Sequence, residues 1–293
     1  MAAEQGLVSA GGRVRRRKRV NRAVEVVWVI AAALAVTVLG VVTASVLIKG
    51  IRALNLDLFT KTPVTFGETG GGIAHAFVGS AILVGMAAAM ALPVGVASAV
   101  YVSEFADKRV ARFLKLALDV LNGLPSIIIG IFLFVLLVVG RGQNGFIGAV
   151  ALAIIMLPLI ARSAQEVLAL VPHDLREGSL ALGVSKWRTI LGVILPTTLS
   201  GILTGATLAI ARAAGETAPL LFTTSLFGEW VSGDPGQAMA SIPVIIFEYS
   251  EAPDPHLNDQ AWAAAFVLIT FVLVTSLVSR ALLARSRRKL ERG

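Results

Sequence analysis

Cysteine is absent from all 293 residues, which rules out disulfides and thiolate metal sites and fixes no redox compartment. Charge is scarce: Asp, Glu, Lys and Arg make up only 15% of the chain, against about 25% in a typical soluble domain. The three histidines, His75, His173 and His256, stand apart, and neither an H-E-x-x-H pattern nor paired carboxylates fall on the apolar runs. No catalytic or metal-holding residue is expected. No Gly-Lys dipeptide occurs, so the chain lacks a P-loop and does not hydrolyse ATP by that route. Any ATP-driven process in which the chain took part would have to borrow its ATPase from another subunit.

Apolar residues fill the space these absences leave. They make up 56% of the chain, and the mean hydropathy is +0.81. A bilayer-spanning helix needs about 20 mostly apolar residues. Six stretches meet or approach that length: Ala23–Ile48, Ile73–Ser103, Leu114–Gly140, Asn144–Ala161, Val193–Phe222 and Ala261–Ser279. None shows the two-residue alternation of a barrel strand. The expected fold is an all-α integral membrane protein with six transmembrane helices. A cleaved signal peptide has an apolar region of about 7–15 residues, so Ala23–Ile48 reads instead as a first helix that stays.

The net charge of +8 invites a nucleic-acid reading, and the positions of the charges argue against it. Of 26 Lys and Arg, 21 fall in Arg13–Arg22, Lys108–Lys115, Arg162–Arg188 and Arg280–Arg292. Six alternating helices put all four segments on one side. Lys49, Arg52, Lys61 and Arg141 take the other side, and Arg212 lies inside a span. Positive-inside bias then places both termini in the cytoplasm. The basic excess is topological; nucleic acid is not an expected partner, whereas anionic membrane lipid is available to the tails.

The organisation that follows is a basic tail over residues 1–22, then a peripheral first helix and outer loop over 23–72. A core over 73–280 and a second basic tail over 281–293 complete it. The outer loop carries Pro63 and Gly70-Gly71-Gly72. The segment 162–192 is the longest cytoplasmic connection. An outer segment, Thr223–Gln260, holds Glu229, Asp234, Glu248, Glu251, Asp254 and Asp259. Within it Ile242–Phe247 is apolar but too short to span, so it lies at the interface or re-enters. Gly140-Arg-Gly-Gln-Asn-Gly145 matches G-x-G-x-x-G, but it joins two membrane spans rather than a strand and a helix, and reads as an outer turn. Gly201 and Gly205 form a GxxxG pair suited to close helix packing.

The cytoplasmic connection has internal structure. Val167–Val171 is an apolar patch closed by Pro172, a residue that fits the first turn of a helix. Asp174–Leu182 suits a short helix on the membrane surface, and Gly183 is a natural stop. Lys186, Trp187 and Arg188 then sit at the interface, where Trp prefers headgroup depth. Gly178, Ser179 and Ala181 keep the helix surface low. An amphipathic connector explains all of this until spacing is considered. Glu177-Gly178-Ser179-x3-Gly183-x9-Val193-x-Leu195-Pro196 closely resembles the EAA loop of ABC importer permeases, EAA-x3-G-x9-I-x-LP. Gly178 and Ser179 stand for the two alanines and Val193 for isoleucine. The resemblance implies that the loop docks into an ATPase subunit, with Asp174, Glu177, Gly178, Ser179, Ala181 and Gly183 as the coupling residues.

A second segment narrows the family. Ala209-Ile-Ala-Arg-Ala-Ala-Gly-Glu-Thr-Ala-Pro-Leu-Leu221 resembles the RAxGET segment of phosphate-specific permeases. Arg212 and Glu216 are four apart and are expected to share one helix face. Charges inside a span usually face the bundle interior or an aqueous path. Two readings stand: a structural ion pair, or an Arg212 fork offered to a phosphate oxyanion. Phosphate near neutral pH keeps a proton and sulfate does not, so a Glu216 carboxylate favours the former. Asn122-Gly-Leu-Pro-Ser126, followed by Gly130, resembles the G-x-PS segment of the same permeases. Pro125 frees backbone carbonyls there, leaving either a simple kink or a lining of the path by Asn122 and Ser126.

The resemblance runs from Ile73 to Arg280 and leans toward the A subunit rather than the C subunit through Arg176–Gly183. It implies the type I importer permease fold and a substrate path lined by Arg212, Glu216, Thr217, Asn122 and Ser126. It also implies partners: a homologous second permease, an ATPase dimer carrying ATP and Mg, and an extracytoplasmic phosphate-binding protein. No cofactor is expected in this chain. A permease for sulfate or molybdate, a stand-alone channel and a membrane enzyme are the competing readings. Glu216 argues against the first, and the missing catalytic clusters argue against the last.

Overall fold

The computed structural model describes residues 2–64, 70–224 and 231–290; Glu229 lies outside them. Every regular element among the described residues is helical, as a lipid solvent that cannot satisfy backbone groups requires of such runs. Residues 1–49 form one compact unit and residues 50–293 another.

The first unit is a single helix, the greater part of α1 (Ala2–Ala53). No proline precedes Pro63, so nothing interrupts the passage from the basic run into the apolar one, and the expected tail is helical from residue 2. Apolar side chains such as Trp28 and Val36 are exposed along it.

In the second unit a short turn, α2 (Asp57–Thr60), precedes α3 (Ala74–Val100), which ends in the π-helical turn Tyr101–Phe105. Then come α4 (Lys108–Gly123), α5 (Ser126–Leu133) and α6 (Gly145–Ala169). The next are α7 (His173–Ala181), α8 (Lys186–Thr189), α9 (Leu195–Ala214), α10 (Ala218–Thr223), α11 (Ile242–Glu251) and α12 (Pro255–Leu290). Among the described residues, Val14–Ala53, Ala74–Phe105, Gly145–Ala169, Lys186–Ala214 and Pro255–Val278 are long and apolar enough to cross a membrane. A sixth crossing exists if the bent pair α4–α5 counts as one broken span.

That bent pair corrects the expectation of one helix over Leu114–Gly140. Lys108–Gly123 and Ser126–Val138 meet at 93°. Pro125 has no N–H to donate and forces Leu124 out of the helical region; Leu124 is extended, with ψ 133°. The first arm begins at Asp107, whose carboxylate accepts from the backbone N–H groups of Arg109 and Val110 at 2.8 and 2.9 Å, a standard N-cap. Lys108, Arg112 and Lys115 recur at helical spacing along this arm.

Two further boundaries differ from expectation. The fifth span starts at Lys186 and stops at Ala214, so Val193–Phe222 is not one helix. The last helix extends to Leu290, making residues 281–290 helical. Ile242–Phe247 becomes the first half of α11, a 10-residue helix whose Ile242 N–H donates to Ser80 Oγ on α3 at 2.8 Å. The helix is too short to cross a bilayer.

The core lies where α3, α6 and α9 meet. Leu83, Ala87 and Ala91 of α3, Leu152, Met156 and Ile160 of α6, and Ala209 and Ala213 of α9 are buried together. Alanine at these contacts lets backbones approach, which drives helix association where water does not. Gly201 and Gly205 serve that purpose: Val167 and Ser163 of α6 occupy the space a side chain would need.

Candidate functional site

Two polar interruptions break the apolar bundle. The first is the connection from α6 to α9. Pro172 opens α7, Asp174 lies in its first turn beside the positive helix end, and none of its residues is buried. The helix stops in a Schellman arrangement: Gly183 N–H donates to Leu180 O at 2.9 Å and Val184 N–H to Ser179 O at 3.1 Å. That geometry needs a left-handed residue, and Gly183 has φ +74°. Glu177, Gly178, Ala181, Leu180 and Leu182 are exposed, with Ser179 half-buried. Glu177 has no ion-pair partner among the described residues.

One side chain of α7 turns inward. Arg176 donates from Nη2 and Nε to Glu104 Oε1 at 2.7 and 3.1 Å, and from Nη1 and Nη2 to the carbonyls of Val171 and Leu168. Lys186 Nζ donates to the Glu104 carbonyl and lies 5.1 Å from the centroid of the Phe105 ring. Trp187 stacks at a tilt on the same ring. Beneath this clamp Ala99, Val100, Ala164, Leu168, Ile190 and Ile194 are buried together.

The second interruption follows α9. The helix ends at Ala214, and Gly215 leaves the helical region with ψ near 0°. Glu216 is therefore beyond the helix end, correcting the expectation that Arg212 and Glu216 share one helix face. They still meet: Arg212 Nε lies 3.5 Å from Glu216 Oε1. The Arg212 side chain is 56% exposed and that of Glu216 14%. The contact uses Nε, and no other partner for Arg212 is present among the described residues, so the two terminal amino groups of the fork stay open. Arg212 also lies in the last turn of α9, where the helix end favours a cation. Thr217 begins α10, accepting from Leu220 and Leu221 N–H at 3.1 Å.

The family model described as "binding-protein-dependent transport system inner membrane component" matches residues 91–292. The chain belongs to this family. It is 38% identical over 281 residues to a phosphate transport system permease protein PstA of Xylella fastidiosa, covering 93% of this chain and 96% of that one. It is also 38% identical over 248 residues to the PstA of Yersinia pestis, covering 83% of each. The permease PstA 1 of Mycobacterium tuberculosis is 38% identical over 228 residues. Among solved structures, the inward-facing MetNI methionine ABC transporter aligns with a TM-score of 0.58 and 18% identity. That match covers 73% of this chain and 95% of the other. An amino acid ABC transporter aligns at TM-score 0.51 and 14% identity. These two likenesses establish the importer permease fold in a multi-pass membrane chain, and the family is one of transport components.

Within that permease fold the selected residues fall into two groups, with Ser126 and Asn122 apart from both. Asp174, Glu177, Gly178, Ser179 and Ala181 lie on α7, with Gly183 at its stop. Arg212, Glu216 and Thr217 gather at the break after α9. Ser126 opens α5, which packs on α10 where Gly130 leaves room for Pro219 and Phe222. Asn122 sits exposed on the other arm of the bend. Among the described residues no hydrogen bond joins Asn122 or Ser126 to Arg212, Glu216 or Thr217. Sequence reasoning missed Glu104. An acid at the end of an apolar run, beside an otherwise basic loop, was the available signal.

Proposed function

We propose that this chain is one permease subunit of an ATP-driven phosphate importer, with both termini in the cytoplasm. The Arg212–Glu216 pair carries the reading of the cargo. Its Nε contact leaves the planar end of a half-exposed guanidinium free for an oxyanion, in the bidentate geometry that arginine favours. Glu216, held beside it, accepts from the phosphate hydroxyl and repels an anion without one. The relatives named as phosphate permeases support the same cargo.

In this reading a homologous second permease supplies the other half of the path, which Thr217, Ser126 and Asn122 help to line. An extracytoplasmic phosphate-binding protein delivers substrate to the outer loops. An ATPase dimer, holding ATP and Mg, docks on α7 through its exposed leucines, Glu177 and the low surface at Gly178, Ser179 and Ala181. Closure of the ATPase dimer moves α7, and the bundle alternates between outward and inward access. Anionic lipid meets the basic ends of the chain.

Uptake of labelled phosphate and of sulfate into vesicles holding the reconstituted complex tests the proposal. Wild type should take up phosphate in an ATP-dependent way and discriminate against sulfate, and Arg212→Ala should lose the phosphate signal. Equal uptake of both anions, or unchanged uptake by Arg212→Ala, refutes the cargo assignment.

A further inference from the structure

We propose that Glu104 is the positioning residue that joins α7 to the bundle and delivers the motion of α7 to α3. The inference rests on the reading of α7 as the ATPase-facing helix. Its structural basis is the way the loop is attached. The polar bonds that tie residues 172–189 to anything other than the loop and its own stem, among the described residues, all end on Glu104. Its carboxylate takes the Arg176 fork from the limb before Gly183, and its carbonyl takes Lys186 from the limb after it. Both limbs are thus fixed to one residue.

The surroundings favour transmission over simple anchorage. Glu104 lies in the π-helical turn that ends α3, an irregularity that recurs at functional positions in helices. Its side chain is 6% exposed, so the pair is shielded from the solvent screening that weakens surface ion pairs. Apart from Arg176 the residues of α7 have little hold on the bundle, since none is buried. A push on α7 therefore reaches α3 through a short, saturated, charge-assisted joint. From there α3 packs along α6 and against α9, the helix that carries Arg212. The flanking covalent stems lead instead into α6 and, through α8, into the span that becomes α9, and neither continues into α3.

Two readouts on the full chain and its complex test the joint. In Glu104→Gln, hydrogen exchange at the α7 amides should accelerate about tenfold while α6 keeps its wild-type protection. In the complex, ATP hydrolysis should persist while phosphate moved per ATP falls about tenfold, an uncoupling that mere loss of folded protein does not produce. Arg176→Lys keeps the charge without the fork and should give an intermediate loosening; it carries the test should Glu104→Gln lose α6 protection. Unchanged α7 exchange, or hydrolysis and uptake falling in equal proportion, overturns the proposal. Exchange needs no substrate, so a wild-type complex that fails to move phosphate removes the cargo reading and leaves this inference standing on the exchange result.

Discussion

Two charged pairs of this permease, Arg176–Glu104 and Arg212–Glu216, are built in opposite ways. Arg176 and Glu104 come from segments 72 residues apart, are largely buried, and use every arm of the guanidinium on a carboxylate or a carbonyl. Arg212 and Glu216 are neighbours in sequence, touch once at 3.5 Å, and leave the arginine half in the open. A pair whose hydrogen bonds are saturated holds a shape. A pair with donors left over has something to offer a third party. The difference separates a mechanical joint from a candidate binding site without reference to the family.

Substitutions at the two pairs should therefore part company. Removing the Arg212 fork in Arg212→Ala should cut phosphate uptake roughly 100-fold, the equivalent of about 3 kcal/mol of charge-assisted hydrogen bonding. Its thermal unfolding in detergent should barely move, because an exposed single contact contributes at most about 1 kcal/mol. Glu104→Leu should show the inverse pattern in stability, losing about 3 kcal/mol by stranding a buried guanidinium. Adding Arg176→Leu should recover most of that loss, since replacing both partners of a buried pair with apolar residues is close to neutral. A double variant no more stable than the single would mean that the carbonyls of Leu168 and Val171, and not Glu104, are what Arg176 serves. For Glu216→Gln the expectation is smaller: a change of about tenfold in the ratio of phosphate to sulfate uptake, or about 1.4 kcal/mol. An unchanged ratio reduces Glu216 to a prop for Arg212.

What was legible in the sequence followed from local chemistry. Long apolar runs gave helices, Pro172 and Gly183 bracketed α7 within a residue at each end, and GxxxG gave the tight α6–α9 contact. The breaks were harder. Arg212 and Glu216 at helical spacing implied one face, and the chain instead leaves the helix at Gly215, where glycine offers little resistance to departure. Pro125 signalled a disturbance, but proline alone does not set an angle, and the 93° turn reflects packing of α5 on α10 through Gly130 and Pro219. Glu104 stood out locally as an acid beside a basic loop, but its pairing was not legible, because Arg176 lies 72 residues away and only the folded chain brings them together.

Effects of at most about 2 kcal/mol come from two glycines five residues apart in the connection from α6 to α9, and they carry opposite signs. Gly178 lies inside α7 with open space where a side chain would project. Alanine there should stabilise the helix by about 0.5–1 kcal/mol through its better helix propensity. Gly183 also has open space around it, but its φ of +74° is a conformation that an alanine adopts at a cost of about 1–2 kcal/mol. Gly183→Ala should therefore loosen the end of α7 although no clash arises. Hydrogen exchange across residues 173–184 reads both effects, slower than wild type for Gly178→Ala and faster for Gly183→Ala. Copurification of the ATPase adds the functional side. If Gly178→Ala steadies the helix yet weakens docking, the low surface at that position is a contact in its own right. If it steadies the helix and docking holds, the ATPase reads the shape and placement of α7, which Gly183 and Arg176 set.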